Sequence, residues 1–179
     1  MADEIEIAEY DPRWPARFAA EAARIRGLLG APSLEIEHHG STAVPGLAAK
    51  PVIDMLVAAD SMASAERYAT TLVENGYEPG DPRYRKIWPE RIVLVRRERE
   101  ARVCHAHLML RSHAAWTRLL AFRDHLRAHP DVVREYADLK RSLAGTMGHD
   151  RHAYMSAKGE FITRVTDVAM REPERYMPR

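Results

Sequence analysis

At 179 residues, 46% hydrophobic and 30% charged, the chain has the size and composition of one globular domain spanning 1–179, long enough to bury a core without covalent staples. A net charge of +1 gives no general case for nucleic-acid binding, and the lone cysteine, Cys104, excludes an internal disulfide framework and a four-cysteine zinc site. The acidic residues after Met1 do not resemble a secretory signal, and no apolar run reaches the ~18–20 residues that cross a bilayer, so the expectation is a cytoplasmic protein without a membrane partner.

The elements follow in order. Phe18, Ala22, Ile25 and Leu29 recur at helical spacing and predict a helix from Trp14 to about Leu29, bracketed by Pro12 and Gly30. Leu34 to His38 reads as a short strand. It leads into Gly40-Ser41-Thr42-Ala43-Val44-Pro45-Gly46, whose glycines and proline predict a shaped loop. Val52 to Ala58 is an apolar run broken only by Asp54, the pattern of a strand covered on both faces. Ser61 to Asn75 reads as a helix ended by Gly76. Tyr77 to Pro89 carries three prolines and predicts irregular chain with short edge pairing. Ile92–Val95 and Val103–Leu110 predict an antiparallel pair. The charged stretch Arg96 to Arg102 between them reads either as a solvated tip or as a guanidinium patch for phosphates. The last third is helical: one helix through Trp116, Leu120 and Leu126 closed by Pro130, one through Val132, Tyr136, Leu139 and Leu143, and one through Tyr154, Phe161, Val165 and Val168. This order predicts an α+β fold, a mixed sheet covered by helices with a C-terminal helical block.

Four features could carry chemistry. Asp54 is costly to bury unpaired inside its apolar strand. It either caps a neighbouring loop or faces a cleft and holds a cation or a substrate amine. The loop before it offers backbone N–H groups near Gly40, the hydroxyls of Ser41 and Thr42, and Lys50, a set suited to an anion. It lacks the spacing of a P-loop, and a tight turn capping a helix would look the same. His105 and His107 share one strand face about 7 Å apart, as two metal ligands, a ligand and a base, or an ordinary surface pair. Lys158 falls on the apolar stripe of the last helix, where it either snorkels or delivers a cation into the cleft. His38 and His39, being adjacent, point to opposite faces. Arg118, Arg123 and Arg127 read as solvated surface, with Asp124 available to pair.

The chain resembles the GrpB family, domains that also form the C-terminal extension of some bacterial dephospho-CoA kinases. The resemblance rests on Tyr10-Asp11-Pro12-Arg13-Trp14, on the block from Glu37-His38-His39-Gly40-Ser41-Thr42 to Lys50-Pro51-Val52-Ile53-Asp54, on His105-Ala106-His107-Leu108, and on Trp116, Phe122-Arg123-Asp124, Tyr154 and Ala157-Lys158. It implies a nucleotidyltransferase-like fold. In catalytic members of that fold a Gly-Ser motif precedes a strand with two alternate carboxylates that hold Mg²⁺ against phosphates. Gly40-Ser41 and Asp54 match; the second carboxylate position is Leu56, and His107 stands where a third ligand would come from. The resemblance therefore implies a single-metal or metal-free site. Asp54, His107 and Glu37 would be catalytic, and Gly40, Ser41, Thr42, Lys50, Lys158 and Tyr154 would hold the ligand. Asp54, His107 and His105 would hold any metal, Mg²⁺ being the cofactor expected. The expected function is nucleotidyl or related group transfer on a small anionic ligand or nucleotide. The alternatives are a non-catalytic module binding such a ligand, or an assembly accessory that meets a protein partner through its helical block.

Overall fold

The computed structural model describes residues 7–147 and 151–171; the acidic stretch before residue 7 lies outside them. Five strands form one mixed sheet: β1 (Ile36–His39), β2 (Ile53–Ala59), β3 (Tyr77–Pro79), β4 (Arg91–Glu98) and β5 (Ala101–Leu110), in the order β1-β2-β5-β4-β3. Only the β2–β5 pairing is parallel. Seven α-helices are described: α1 (Trp14–Leu29), α2 (Met62–Glu74), α3 (Pro82–Ile87), α4 (Ala114–Ala128), α5 (Pro130–Met147), α6 (Arg151–Ala157) and α7 (Gly159–Ala169).

Strand alternation divides the sheet into two chemically different faces. Ile53, Met55 and Val57 of β2, with Cys104, Ala106 and Leu108 of β5, pack under α1 and α2 through Trp14, Ile25, Ala65 and Leu72. That face is the main apolar core. At one end of the opposite face Leu56, Ala58 and Met109 meet Trp116 and Leu120 of α4. At its other end the same face presents Asp54, His105 and His107. The helical block covers this end through the loop: Val44 and Leu47 are buried against Leu126, Tyr136, Phe161 and Val165.

Several elements differ from the sequence expectation. Tyr77 to Pro89 is more regular than its prolines suggested. It forms the edge strand β3 and the short helix α3, which starts on Pro82 with the Asp81 side chain accepting from the Arg83 N–H. The Tyr154–Val168 helix is two helices broken at Lys158, and Val168 points to solvent at 46% exposure. The charged hairpin is strand almost throughout, turning at Arg99 with φ 55°. Its arginines divide: Arg96 bonds Glu21 on α1 at 2.6 Å and Arg97 bonds Glu78 at 3.3 Å, while Arg99 is exposed at the turn.

Arg123 is the largest correction. Instead of solvated surface, it is buried between α4 and β1. Its guanidinium donates to both Asp124 carboxylate oxygens (2.7 and 2.8 Å), to Glu37 at 2.7 Å and to the His38 carbonyl at 2.8 Å. Arg127 is more exposed and donates to the Ala43 carbonyl at 2.9 Å. The two arginines thus hold the backbone on either side of Gly40.

Candidate functional site

Asp54 pairs in register with His105 across the parallel β2–β5 junction, and Leu56 pairs with His107. Because alternate residues share a face, Asp54, His105 and His107 come to one place. His105 Nδ1 lies 3.0 Å from Asp54 Oδ1, and His107 Nε2 lies 3.8 Å from the same oxygen. Burial disfavours the Asp54 carboxylate, but the hydrogen bond from His105 and the nearby His107 imidazole outweigh that and hold the carboxyl well below its ordinary range. An ionised Asp54 only accepts, so the hydrogen of that bond sits on His105 Nδ1. Burial lowers the pKa of His107, against the pull of Asp54, and lowers that of His39 strongly.

Gly40 explains why the loop sits where it does. Its φ is 72°, and a Cβ built there would lie 2.6 Å from Asp54 Oδ2. Only glycine supplies both the left-handed backbone and the space for the carboxylate. Thr42 closes the loop internally. Its hydroxyl meets His38 Nε2 at 3.0 Å and the Val52 carbonyl at 3.3 Å, which commits it to shaping the loop. Burial and the neighbouring Arg127 lower the His38 pKa to about 4, so that ring serves Thr42 as a neutral partner. Ser41 bonds the Tyr136 phenol.

These residues open onto a cavity of about 480 Å³. Of the expected site residues, Asp54, His105, His107, Gly40, Ser41, Thr42, Lys50, Tyr154 and Lys158 all line it. Glu37 does not. It lies two residues from His39 along β1, paired with Arg123 and facing a separate hollow. Its expected catalytic place is therefore corrected to an ion pair that docks α4. Lys158 neither snorkels away nor packs blindly; the break between α6 and α7 turns it to the cavity, its Nζ 5.1 Å from the Tyr154 ring centre.

Sequence reasoning missed His39, Arg91, Arg102 and Lys140, which also line the cavity. Arg91 is buried over the Trp88 ring at 4.7 Å, and its Nε has no hydrogen-bond partner among the described residues. Lys140 had a legible signal, since it lies four residues after Tyr136 on the same helix face. It is 2% exposed, donates to the Ala48 carbonyl, and lies 4.7 Å from the centre of the Tyr136 ring. Burial, then repulsion from Lys158, lowers its pKa from 10.5 to about 7. Between those values the unfolded chain binds more protons than the folded one, so stability rises with pH there. Relative to Lys140→Met, the wild type should gain roughly 2–4 kcal/mol of unfolding free energy between pH 7 and pH 10, the carbonyl and ring contacts trimming the full shift. Urea melts across that range check it; a constant difference would mean an ordinary amine.

The GrpB protein family model matches residues 4–168 of the chain. The chain belongs to the GrpB family. Among solved structures, this GrpB domain is similar to a conserved GrpB protein from Enterococcus faecalis, with 31% identity, a TM-score of 0.82, and 93% and 98% of the two chains covered. Among curated relatives, a UPF0157 protein of Pseudomonas aeruginosa is 40% identical, over 94% of this chain and 69% of that one. A dephospho-CoA kinase of Mycolicibacterium paratuberculosis is 28% identical over 86% of this chain but only 43% of its own length. A likeness to Cid1, solved in complex with its short product ApU, has a TM-score of 0.52 at 17% identity and shows the nucleotidyltransferase-like fold alone. No helix among the described residues is long and apolar enough to cross a membrane.

The Mg²⁺ expected from that fold needs oxygen ligands in near-octahedral array. The donors here are one carboxylate and two imidazoles, and Leu56, in the second carboxylate position, is fully buried against Trp116. This set does not fit Mg²⁺.

Proposed function

We propose that this GrpB domain binds a small phosphate-bearing ligand, a nucleotide first among them, and transfers a group from it at the Asp54–His105–His107 end of the cavity. The observation that carries the reading is charge placement. Lys50, Arg91, Arg102 and Lys158 line the cavity, against Asp54 as its one carboxylate among the described residues. Arg91 in addition keeps a buried guanidinium nitrogen without a partner among the described residues. Glu90 meets one end of that guanidinium at 3.4 Å, and the excess of cationic over anionic side chains around the cavity favours an anionic ligand. Tyr84, Trp88 and Tyr154 add ring faces for a base or another flat group.

Within this reading each group has a task. The cationic side chains hold the phosphates, and Asp54 fixes the ring of His105 through Nδ1. That leaves His105 Nε2 able to take a proton from an attacking hydroxyl, amine or water. His107 is the second candidate base. The pairing resembles the orienting carboxylate and imidazole of other proton-transfer sites.

A second reading has its own support. Leu56 leaves the strand with a single carboxylate, which suits a binding module without catalysis. Melting curves with phosphorylated ligands and their dephosphorylated counterparts test the shared part. The expected result is a rise in Tm with the phosphorylated form alone, corresponding to roughly 2–4 kcal/mol at saturating ligand. No shift across nucleotides and phosphorylated cofactor precursors would count against both readings; a shift with no product formed would select the second.

A further inference from the structure

We infer that Asp54, His105 and His107 hold a borderline divalent transition metal, of which Zn²⁺ is the type, in place of the Mg²⁺ of carboxylate-based sites. The inference goes beyond the phosphate-ligand reading and does not require it. One ligand atom from each of the three residues lies within 4.8 Å of the others. The separations of 3.0 Å and 3.8 Å from Asp54 Oδ1 bracket the roughly 3.0–3.5 Å between neighbouring donors around an ion with bonds near 2.0–2.2 Å. Two imidazoles and one carboxylate are the donors that such a metal prefers and that Mg²⁺ does not.

The backbone supports the same assignment. The three donors come from β2 and β5, adjacent strands near the middle of the sheet, with Asp54 in register with His105. Their positions are therefore fixed by main-chain hydrogen bonds and not by a flexible loop, which is the rigidity a metal site needs. On the β1 side His39 is in register with Asp54, and its ring lies 4.9 Å from that of His107. His39 is only 7% exposed and lines the same cavity, yet its Nε2 has no hydrogen-bond partner among the described residues. A buried nitrogen in that state calls for a partner, and water or an anion on the ion would supply one. The remaining side of the three-donor set is the cavity itself, leaving a coordination position open as in catalytic zinc sites. A bound cation would exchange for the proton that His105 now shares with Asp54, so the Asp54–His105 pair of the proposed function belongs to the metal-free form.

Protein stripped with chelator and titrated with metal alone, without nucleotide, tests the site. Zn²⁺ should bind as a single tight equivalent by calorimetry. Co²⁺ should give the intense visible absorption of a low-coordinate nitrogen–oxygen site, and a large excess of Mg²⁺ should displace neither. His107→Ala and Asp54→Asn should each weaken Zn²⁺ binding at least ~10–100-fold, with circular dichroism confirming the fold. If a variant fails to fold, the Co²⁺ spectrum and Mg²⁺ competition of the wild type still decide. Absence of Zn²⁺ and Co²⁺ binding, equal competition by Mg²⁺, or affinity unchanged in folded His105→Ala and His107→Ala would overturn the inference. The phosphate-ligand reading is tested separately, by melting shifts in chelator.

Discussion

Under the proposed function, Asp54→Asn is expected to lower group transfer at least ~100-fold, the usual scale of a lost proton-transfer arrangement, while the protein stays folded and still melts higher with a phosphorylated ligand. The substitution keeps the size of the side chain, so Gly40, where a Cβ would come within 2.6 Å of Oδ2, still fits against it. It removes the charge. The carboxylate no longer fixes His105 Nδ1 as a donor at 3.0 Å, and an amide can present its NH₂ group to the ring instead, which favours the wrong tautomer. The cationic part of the cavity lining, Lys50, Arg91 and Lys158, is untouched. Product formation at saturating ligand, measured beside the melting curve, checks the result. Turnover equal to wild type would move the chemistry away from Asp54.

Arg123→Ala costs about 2–4 kcal/mol of stability, less than the ~3–5 kcal/mol of a fully buried broken pair because Glu37 and Asp124 keep some contact with water. Their side chains are 29% and 20% exposed, against 8% for Arg123. The loss has two parts: the Glu37 charge loses its partner while Asp124 keeps only Arg127 at 3.1 Å, and the His38 carbonyl loses its donor at 2.8 Å. The damage should reach the cavity too, since this bond and that of Arg127 to Ala43 hold the chain around Gly40. Denaturant melts should show the drop in stability, with the ligand-induced shift reduced as well. An effect under about 0.5 kcal/mol would return Arg123 to ordinary surface.

Sequence pattern reached far into this molecule where periodicity and punctuation carry the physics. The apolar run around Asp54 is a strand covered on both faces, and period two put His105 and His107 on one side. The Gly40 loop abuts the carboxylate that follows it. The α+β architecture and the nucleotidyltransferase-like likeness stand with the fold. What could not be read were contacts set by packing between distant elements. Glu37 looked like a site residue because it precedes the histidine–glycine block; it does share a face with His39, but one step further along β1, where Arg123 of α4 takes it. Arg123 looked solvated because its spacing from Arg118 and Arg127 describes a polar stripe, and nothing local announces that β1 lies against that stripe. Lys140 was hidden by the habit of assigning lysine to water, although Tyr136 on the same face marked the position as inward. The break at Lys158 had no proline to signal it; Gly159 was the only punctuation.

The central claim is that Asp54, the paired histidines and the converging cations face one cavity that takes a phosphate group. A crystal structure of the protein grown with a nucleoside triphosphate tests it most directly. The account predicts phosphate density among Lys50, Arg91 and Lys158, with the reacting phosphorus next to Asp54 and His107. A nucleotide bound elsewhere on the fold, with this cavity filled by its own side chains, would contradict it.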